Sequence, residues 1–381
     1  MRIVLATRLF RPEVGAAAFR LAALTDALTE RGHEVRVVTT RPPASAGPPP
    51  EERASVSRWP VMRDAGGNVR GYLQYASFDV PLLGRLAAGR GADLVVVEPP
   101  PSTGVVVALA TLLRRTRYVY YAADVWSDAL VAAGAAAPVV ALMRMLERIA
   151  LRRAVRVIAV SDGVADRVLS LGVAPDRVAV VPNGIDTTLF SPEPAVTREP
   201  VFVYTGTMSE WQGAEVFVRA LPLVREKYPE ARLRFFGQGS AEPELRRLAA
   251  ELPAGSVEFG GVVPPVRAAE ELRRGTAALV SIVPGQGYDF ARPTKIYAAT
   301  ACGTPVLYAG RGAAADMVRD ARLGAAVGHD SRAVADGMLE MLDAGAPDSA
   351  HLVEWTRTHA SLRSTGRSVA DELEGVLARG A

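Results

Sequence analysis

Short runs of Val, Ile and Leu alternate with longer stretches of helical spacing through most of this chain, the mark of parallel strands joined by crossover helices. In the first half the runs fall at residues 2–7, 34–40, 93–100, 117–122, 156–161 and 178–183; in the second, at 201–206, 232–237, 256–261, 277–283, 304–310 and 323–328. The clearest helix between them runs from about Gly15 to Arg31, with Leu21, Leu24 and Leu28 on one face. At 381 residues the chain is too long for one ordinary α/β core. The expected fold is therefore α/β, with two Rossmann-like doubly wound parallel sheets facing across a cleft.

Residues 191–200 (SPEPAVTREP) break the pattern just before a fresh strand and read as a linker. The expected domains are thus 1–195 and 196–350, followed by a helical tail, 351–381, that packs on them and is free to cross back to the first. The Pro- and Ala-rich segment 41–53 reads as a loop open to acceptor entry.

Composition narrows the function. Hydrophobic residues are 49% and charged residues 22%, as in ordinary globular chains, and 44 basic against 41 acidic residues leave a formal charge of only +3. That near balance argues against nucleic acid as a bulk partner. Cys302 is the single cysteine and the 4 histidines are scattered, so no metal-ligand spacing exists, no metal is expected, and a reducing cytoplasm fits best. The apolar start meets Arg8 and Arg11 too soon for a signal peptide and reads as a first buried strand. No apolar stretch is long enough to span a bilayer. Residues 138–157 are apolar on one side with Arg144, Arg148, Arg152, Arg153 and Arg156 interleaved. Such a helix either lies on the inner face of an anionic membrane or buries its apolar side in its own domain.

Chemistry is sought where strands run into glycine turns, because helix N-termini there offer unpaired amides to an anion. In FRPEVGAAAFR (10–20), Gly15 allows close backbone approach just before a helix, although a plain strand-to-helix turn reads the same way. In YTGTMSEWQG (204–213), Gly206 and Gly213 bracket a loop that fits a diphosphate, and Thr207 and Gln212 supply neutral hydrogen-bonding groups. Trp211 either covers the cleft or belongs to the core. Gly237 and Gly239 form a third turn in FFGQGS (235–240). In the tract 284–310, a glycine-rich loop leads through Arg292, Pro293, Thr294 and Lys295 into a short helix ending at Gly303. Pro293 suits the first helical turn, Thr294 is a capping residue, and amides, dipole and two cations converge there on an anion site or stand solvated. Asp124, after the strand at 117–122, either takes a proton from an acceptor hydroxyl or caps a helix. Glu13 and Glu98 are weaker candidates of the same kind.

The ordered series FRPEVGAAAFR, RGHEVRVVTT, VIAVSDGV, VPNGIDTTLF, YTGTMSEWQG, FFGQGS and PTKIYAATACGTPVL resembles the family 4 retaining glycosyltransferases of GT-B fold, and most of all the branch that builds bacterial surface polysaccharides. The resemblance implies metal-independent transfer of a sugar from a nucleotide-diphosphate donor, with retention at the anomeric carbon. It places Gly15, Gly206 and Gly213 against the donor phosphates. The arginine and lysine usual in the second-domain loop are here Thr207 and Gln212, and the family's paired glutamates fall on Phe290 and Ala298. Arg292 and Lys295 are then expected to stabilise the leaving diphosphate, with Asp124 as the acidic group. Phe290, Thr294, Tyr297, Gly237 and Gly239 complete the expected donor contacts. The acceptor is expected to be a lipid-linked saccharide or, alternatively, a small natural product. A degenerate binder of sugar nucleotides is the reading from another class.

Overall fold

The computed structural model describes the whole chain except residues 14, 65–68, 70, 90, 133–134, 194–195, 287 and 380–381. Val14 of the first motif, part of the expected linker and Gly287 of the glycine-rich loop lie outside the described residues. The chain forms two compact units, 1–183 together with 362–381, and 184–361.

The first unit contains β1 (Arg2–Ala6), α1 (Ala16–Glu30), β2 (Glu34–Thr40), β3 (Ser55–Trp59), α2 (Tyr72–Ala87), β4 (Leu94–Val97), α3 (Pro101–Arg114), β5 (Arg117–Ala122), α4 (Trp126–Ala132), α5 (Ala137–Arg153), β6 (Arg156–Ala159), α6 (Asp162–Ser170) and β7 (Val178–Val180). Its sheet is seven-stranded, in the order β3-β2-β1-β4-β5-β6-β7, with every pairing parallel. The central strands are buried on both faces, which is why they read as unbroken apolar runs. The expected strands all form, most of them shorter than the apolar runs that signalled them. Strand β3 was not expected: it sits at the sheet edge, is buried at no position, and alternates serine with larger residues, so it carries little apolar signal.

The second unit contains β8 (Val201–Thr205), α7 (Glu215–Arg225), β9 (Arg232–Phe236), α8 (Glu242–Ala249), β10 (Val257–Gly261), α9 (Pro265–Arg274), β11 (Ala277–Ser281), α10 (Thr294–Ala301), β12 (Val306–Ala309), α11 (Ala313–Asp320), β13 (Gly324–Val327), α12 (Ser331–Asp343) and α13 (Ser349–His359). Its six strands run in the order β10-β9-β8-β11-β12-β13, again all parallel. In both sheets the strand order reverses beside the first strand, the switch point where α/β sheets hold ligands.

Two boundaries differ from the sequence reading. The first unit ends at Asn183, not near the proline cluster, because residues 184–193 lie on the second unit. There Ile185 N donates to Ala360 O at 2.7 Å, and Arg273 Nε donates to Ser191 O at 2.7 Å. The tail is also two helices of different allegiance. Helix α13 belongs to the second unit, where its Thr356 hydroxyl meets that of Thr300 on α10 at 2.6 Å. After Ser361 the chain turns back, and α14 (Leu362–Ala378) joins the first unit. Val369, Ala370, Leu373 and Val376 of α14 are buried with Leu24 and Leu28 of α1. Burial of each large side chain contributes about 1.5–3 kcal/mol relative to exposure. Gly366 packs directly on the Ala23 carbonyl, and His33 and Arg31 reach Glu374 at 2.7 and 2.9 Å.

Candidate functional site

At the carboxyl ends of β8 and β9, next to the β8–β11 pairing at which the strand order of the second sheet reverses, the unit holds a cavity of about 290 Å³. Its walls are mostly apolar: Ile185, Phe190, Phe236, Val262, Val263, Pro265, Ala268 and Ala298. Thr205, Gly206 and Gly237 line one side, with Thr294 and Lys295 from the start of α10. Lys295 is the only ionisable side chain among these lining residues. An apolar hollow with polar groups gathered on one rim suits a ligand with a flat apolar part and an anionic part, such as a nucleotide.

Lys295 Nζ donates to Thr207 O at 2.9 Å and stands 3.7 Å from the centre of the Tyr204 ring. Burial without a carboxylate partner pushes its pKa down to about 7, because desolvation disfavours the ammonium. A cation held by a carbonyl and an aromatic face retains capacity for an anion. The Thr294 and Lys295 amides that open α10 precede its first hydrogen-bonded turn, in which Ile296 N donates to Pro293 O at 3.1 Å, and add positive character at the same rim.

Backbone approach at this rim depends on glycine. Gly206 has φ 107° and Gly237 φ 132°, values in which only glycine is unstrained. A Cβ on Gly237 would overlap the Gly206 carbonyl, so the two turns interlock. Gly239 packs equally closely on the Met208 backbone. The rim is thus backbone with no side chain to hold a ligand off, although the Gly206 and Gly237 amides themselves donate to Phe236 O at 2.8 Å and Gly261 O at 2.7 Å.

The other expected donor residues of this unit divide. Thr207 is exposed beside Lys295. Gln212 is 4% exposed, and its Oε1 accepts from Ser209 N at 3.0 Å and Tyr204 Oη at 3.1 Å, closing a capping box instead of facing the cavity. Gly213 is buried at φ 60°, with its carbonyl 3.0 Å from His329 Nε2. Tyr297 is buried, with its hydroxyl 3.7 Å from Met317 Sδ. Phe290 and Arg292 are exposed on the segment entering α10, and Trp211 stacks on Tyr288 with ring centres 4.4 Å apart. Thr294 does not cap α10: Pro293 occupies the capping position, no side chain caps it, and Thr294 is the first helical residue. The walls formed by Val262, Val263 and Pro265 escaped the sequence reading. Their one signal was the apolar GVVPPV run between a strand and a helix start, with Val262 68% exposed.

Two expected residues belong to the first unit. Gly15 is the uncapped entry to α1, with extended backbone at φ 170° and open space where a Cβ would stand. Asp124 is exposed between β5 and α4. Its alternative role as helix cap is filled by another residue: Glu147 of α5, 2% exposed, accepts from the Trp126 and Ser127 amides, the latter at 3.1 Å. Burial raises the Glu147 pKa. The weaker acidic candidates are engaged in ion pairs. Glu98 receives Arg20 at 3.0 Å and the Thr7 hydroxyl at 2.7 Å, and Glu13 receives Arg63 at 2.8 Å. Among the described residues no group of histidine, cysteine and carboxylate side chains could hold a metal ion.

Residues 17–189 match the domain described as Glycosyltransferase Family 4, and residues 199–344 match Glycosyl transferases group 1. The D-inositol 3-phosphate glycosyltransferase of Acidothermus cellulolyticus is 35% identical over 50% of this chain and 45% of its own length. The GDP-mannose-dependent alpha-(1-6)-phosphatidylinositol monomannoside mannosyltransferase of Mycolicibacterium smegmatis is 31% identical over 51% of this chain and 56% of its own. The chain therefore spans about half the length of the curated relatives it matches. Anabaena HepE, solved in complex with UDP-glucose, superposes with a TM-score of 0.67 over 98% of this chain and 100% of that one, at 18% identity. At that identity the likeness speaks for the fold, which is GT-B. With most of each unit matched by its own domain in the family's order, the chain belongs to the family 4 glycosyltransferases.

Proposed function

We propose that this protein transfers a glycosyl unit from a nucleotide-diphosphate sugar to an acceptor hydroxyl. The nucleoside would occupy the apolar cavity of the second unit, and the diphosphate would lie against Lys295, the Gly206 and Gly237 turns and the first amides of α10. The observation that carries this reading is Lys295, a cation at the cavity rim held by the Thr207 carbonyl and the Tyr204 ring. When the bond from the anomeric carbon to the phosphate oxygen breaks, the diphosphate gains charge that an ammonium and fixed amides stabilise. Arg292, two residues before α10, is assigned to the same charge, and Gly15 to close backbone approach in the first unit. Asp124 takes the acceptor's proton. Transfer with retention follows the family resemblance.

Support for the donor class comes from Anabaena HepE, whose structure holds UDP-glucose. The relatives named for D-inositol 3-phosphate and phosphatidylinositol mannoside support a polyol or lipid-linked acceptor over a small natural product. Replacement of Lys295 by Ala is expected to lower kcat by about 10²–10³, the usual loss on removing one preorganised charge partner. Product mass measured across UDP- and GDP-sugars with lipid-linked and soluble acceptors provides the test. Turnover of the variant equal to wild type rejects the assignment.

A second reading is favoured by one observation: Ala298 lines the cavity at the position where the family carries a ribose-binding glutamate. On that reading the protein binds sugar nucleotides without transferring them. Nucleotide-dependent thermal stabilisation, with no product for any donor, would select it.

A further inference from the structure

Helix α5 is apolar on two sides. Its inner side buries Val140, Glu147, Ala150 and Leu151, and at Gly104 the neighbouring α3 approaches the Ala150 methyl closely. Opposite that side, Leu142, Met145 and Ile149 follow one another at helical spacing and are 54%, 51% and 37% exposed. At 3.6 residues per turn the three fall within an arc of roughly 60°. One buried stripe is enough to anchor a surface helix, so anchoring does not call for the second. Val131 on α4, the helix that packs against α5, is also exposed, at 55%.

The charges around this stripe have one sign. Arg148 and Arg152 flank it on one edge and Arg153 on the other, all exposed, with Arg144 nearby. Among the described residues none of the four lies within ion-pairing distance of a carboxylate. The helix carries one acidic residue, Glu147, turned inward onto the α4 amides. Asp128 on α4 is neutralised by Arg167 at 2.5 Å. Because the whole chain has a formal charge of only +3, this concentration is local.

The geometry points to α5 as a docking surface for an anionic lipid bilayer, with Leu142, Met145 and Ile149 entering the headgroup region and Arg148, Arg152 and Arg153 reaching lipid phosphates beside them. Long arginines carry their charge past an apolar stripe, and a bilayer supplies negative potential over the whole face without a matched carboxylate at each site. A protein partner would need fixed acidic counterparts, and a second copy would bring arginine against arginine. Docking is independent of the catalytic reading above, since none of these residues belongs to the donor cavity.

The test is cosedimentation of the full chain with vesicles of phosphatidylcholine alone and of phosphatidylcholine mixed with phosphatidylglycerol. Binding is expected only to the mixed vesicles, and it should weaken as salt rises. The pair Leu142→Ser with Ile149→Ser, and separately Arg148→Gln with Arg152→Gln, should each lower the partition coefficient by about tenfold or more. Unchanged circular dichroism and melting temperature would show that the variants fold. The control pair Leu112→Ser with Leu113→Ser alters equally exposed residues of α3 and should leave binding unchanged. Absence of lipid-dependent binding, or equal loss in the control, overturns the proposal. So does light scattering that shows a dimer broken by Leu142→Ser, because the stripe would then pair copies of the chain.

Discussion

Lys295 concentrates the residue-scale chemistry. Its side chain reaches the cavity rim between a carbonyl and a ring, and desolvation brings its pKa to about 7 from the ordinary 10.5. Between those values the unfolded chain binds a proton that the folded chain does not, so this group favours folding increasingly as pH rises from about 7 toward 10.5. A diphosphate beside the ammonium restores the charged form. Binding of a sugar nucleotide above pH 7 should therefore take up a proton, and affinity should fall as pH rises. Calorimetry with UDP-glucose and GDP-mannose at pH 8, in two buffers of different ionisation enthalpy, should show uptake approaching one proton for the nucleotide that binds. With Lys295→Met the uptake should vanish, and a buffer-independent heat in the wild type would refute the linkage. The sequence located this lysine, because basic residues at a helix start after a glycine loop are visible in one dimension. It did not show that Gln212 would turn inward to close a capping box, or that Glu147, more than twenty residues away along the chain, would leave Asp124 without a capping role. Those outcomes depend on which amides happen to need an acceptor, and only the folded chain sets that.

Elements show the same division. Central strands were legible because burial on both faces demands uninterrupted apolar runs, whereas β3 escaped because an edge strand buries little. Helix α14 was legible as a helix, and its partner was not. Its attachment to α1 depends on Gly366, where any side chain would overlap the Ala23 carbonyl. Gly366→Val should cost about 1–3 kcal/mol, as overpacking of a tight contact does. In a unit of this size that corresponds to a loss of roughly 3–10 °C in melting temperature. Gly375→Ala on the same helix, where only the distant end of Arg379 approaches, should not lower it. A scanning calorimetry trace in which Gly366→Val melts with the wild type would show that α14 docks less tightly than its packing indicates.

For the whole molecule, unit membership does not follow chain order. Residues 349–359 fold with 184–361, while 362–378, only two residues beyond them, fold with 1–183. Hydrogen exchange in rising urea should therefore show α13 opening with the second sheet and α14 with the first, even though they adjoin in sequence. A sugar nucleotide should slow exchange at 205–208, 236–239 and 294–298, and raise the opening energy of α13 before that of α14. Coincident exchange of 349–378 as one block, with or without ligand, would contradict this division. The amino-acid sequence by itself determined the two parallel sheets, the glycine turns at their strand ends and the basic start of α10, because periodicity, φ preference and helix capping act over a few residues. Tertiary structure alone decided which unit each terminal helix joins, the apolar walls that turn glycine turns into a cavity, and the outward stripe of α5. These depend on which surfaces meet, and in sequence an apolar residue facing water reads the same as one facing a core.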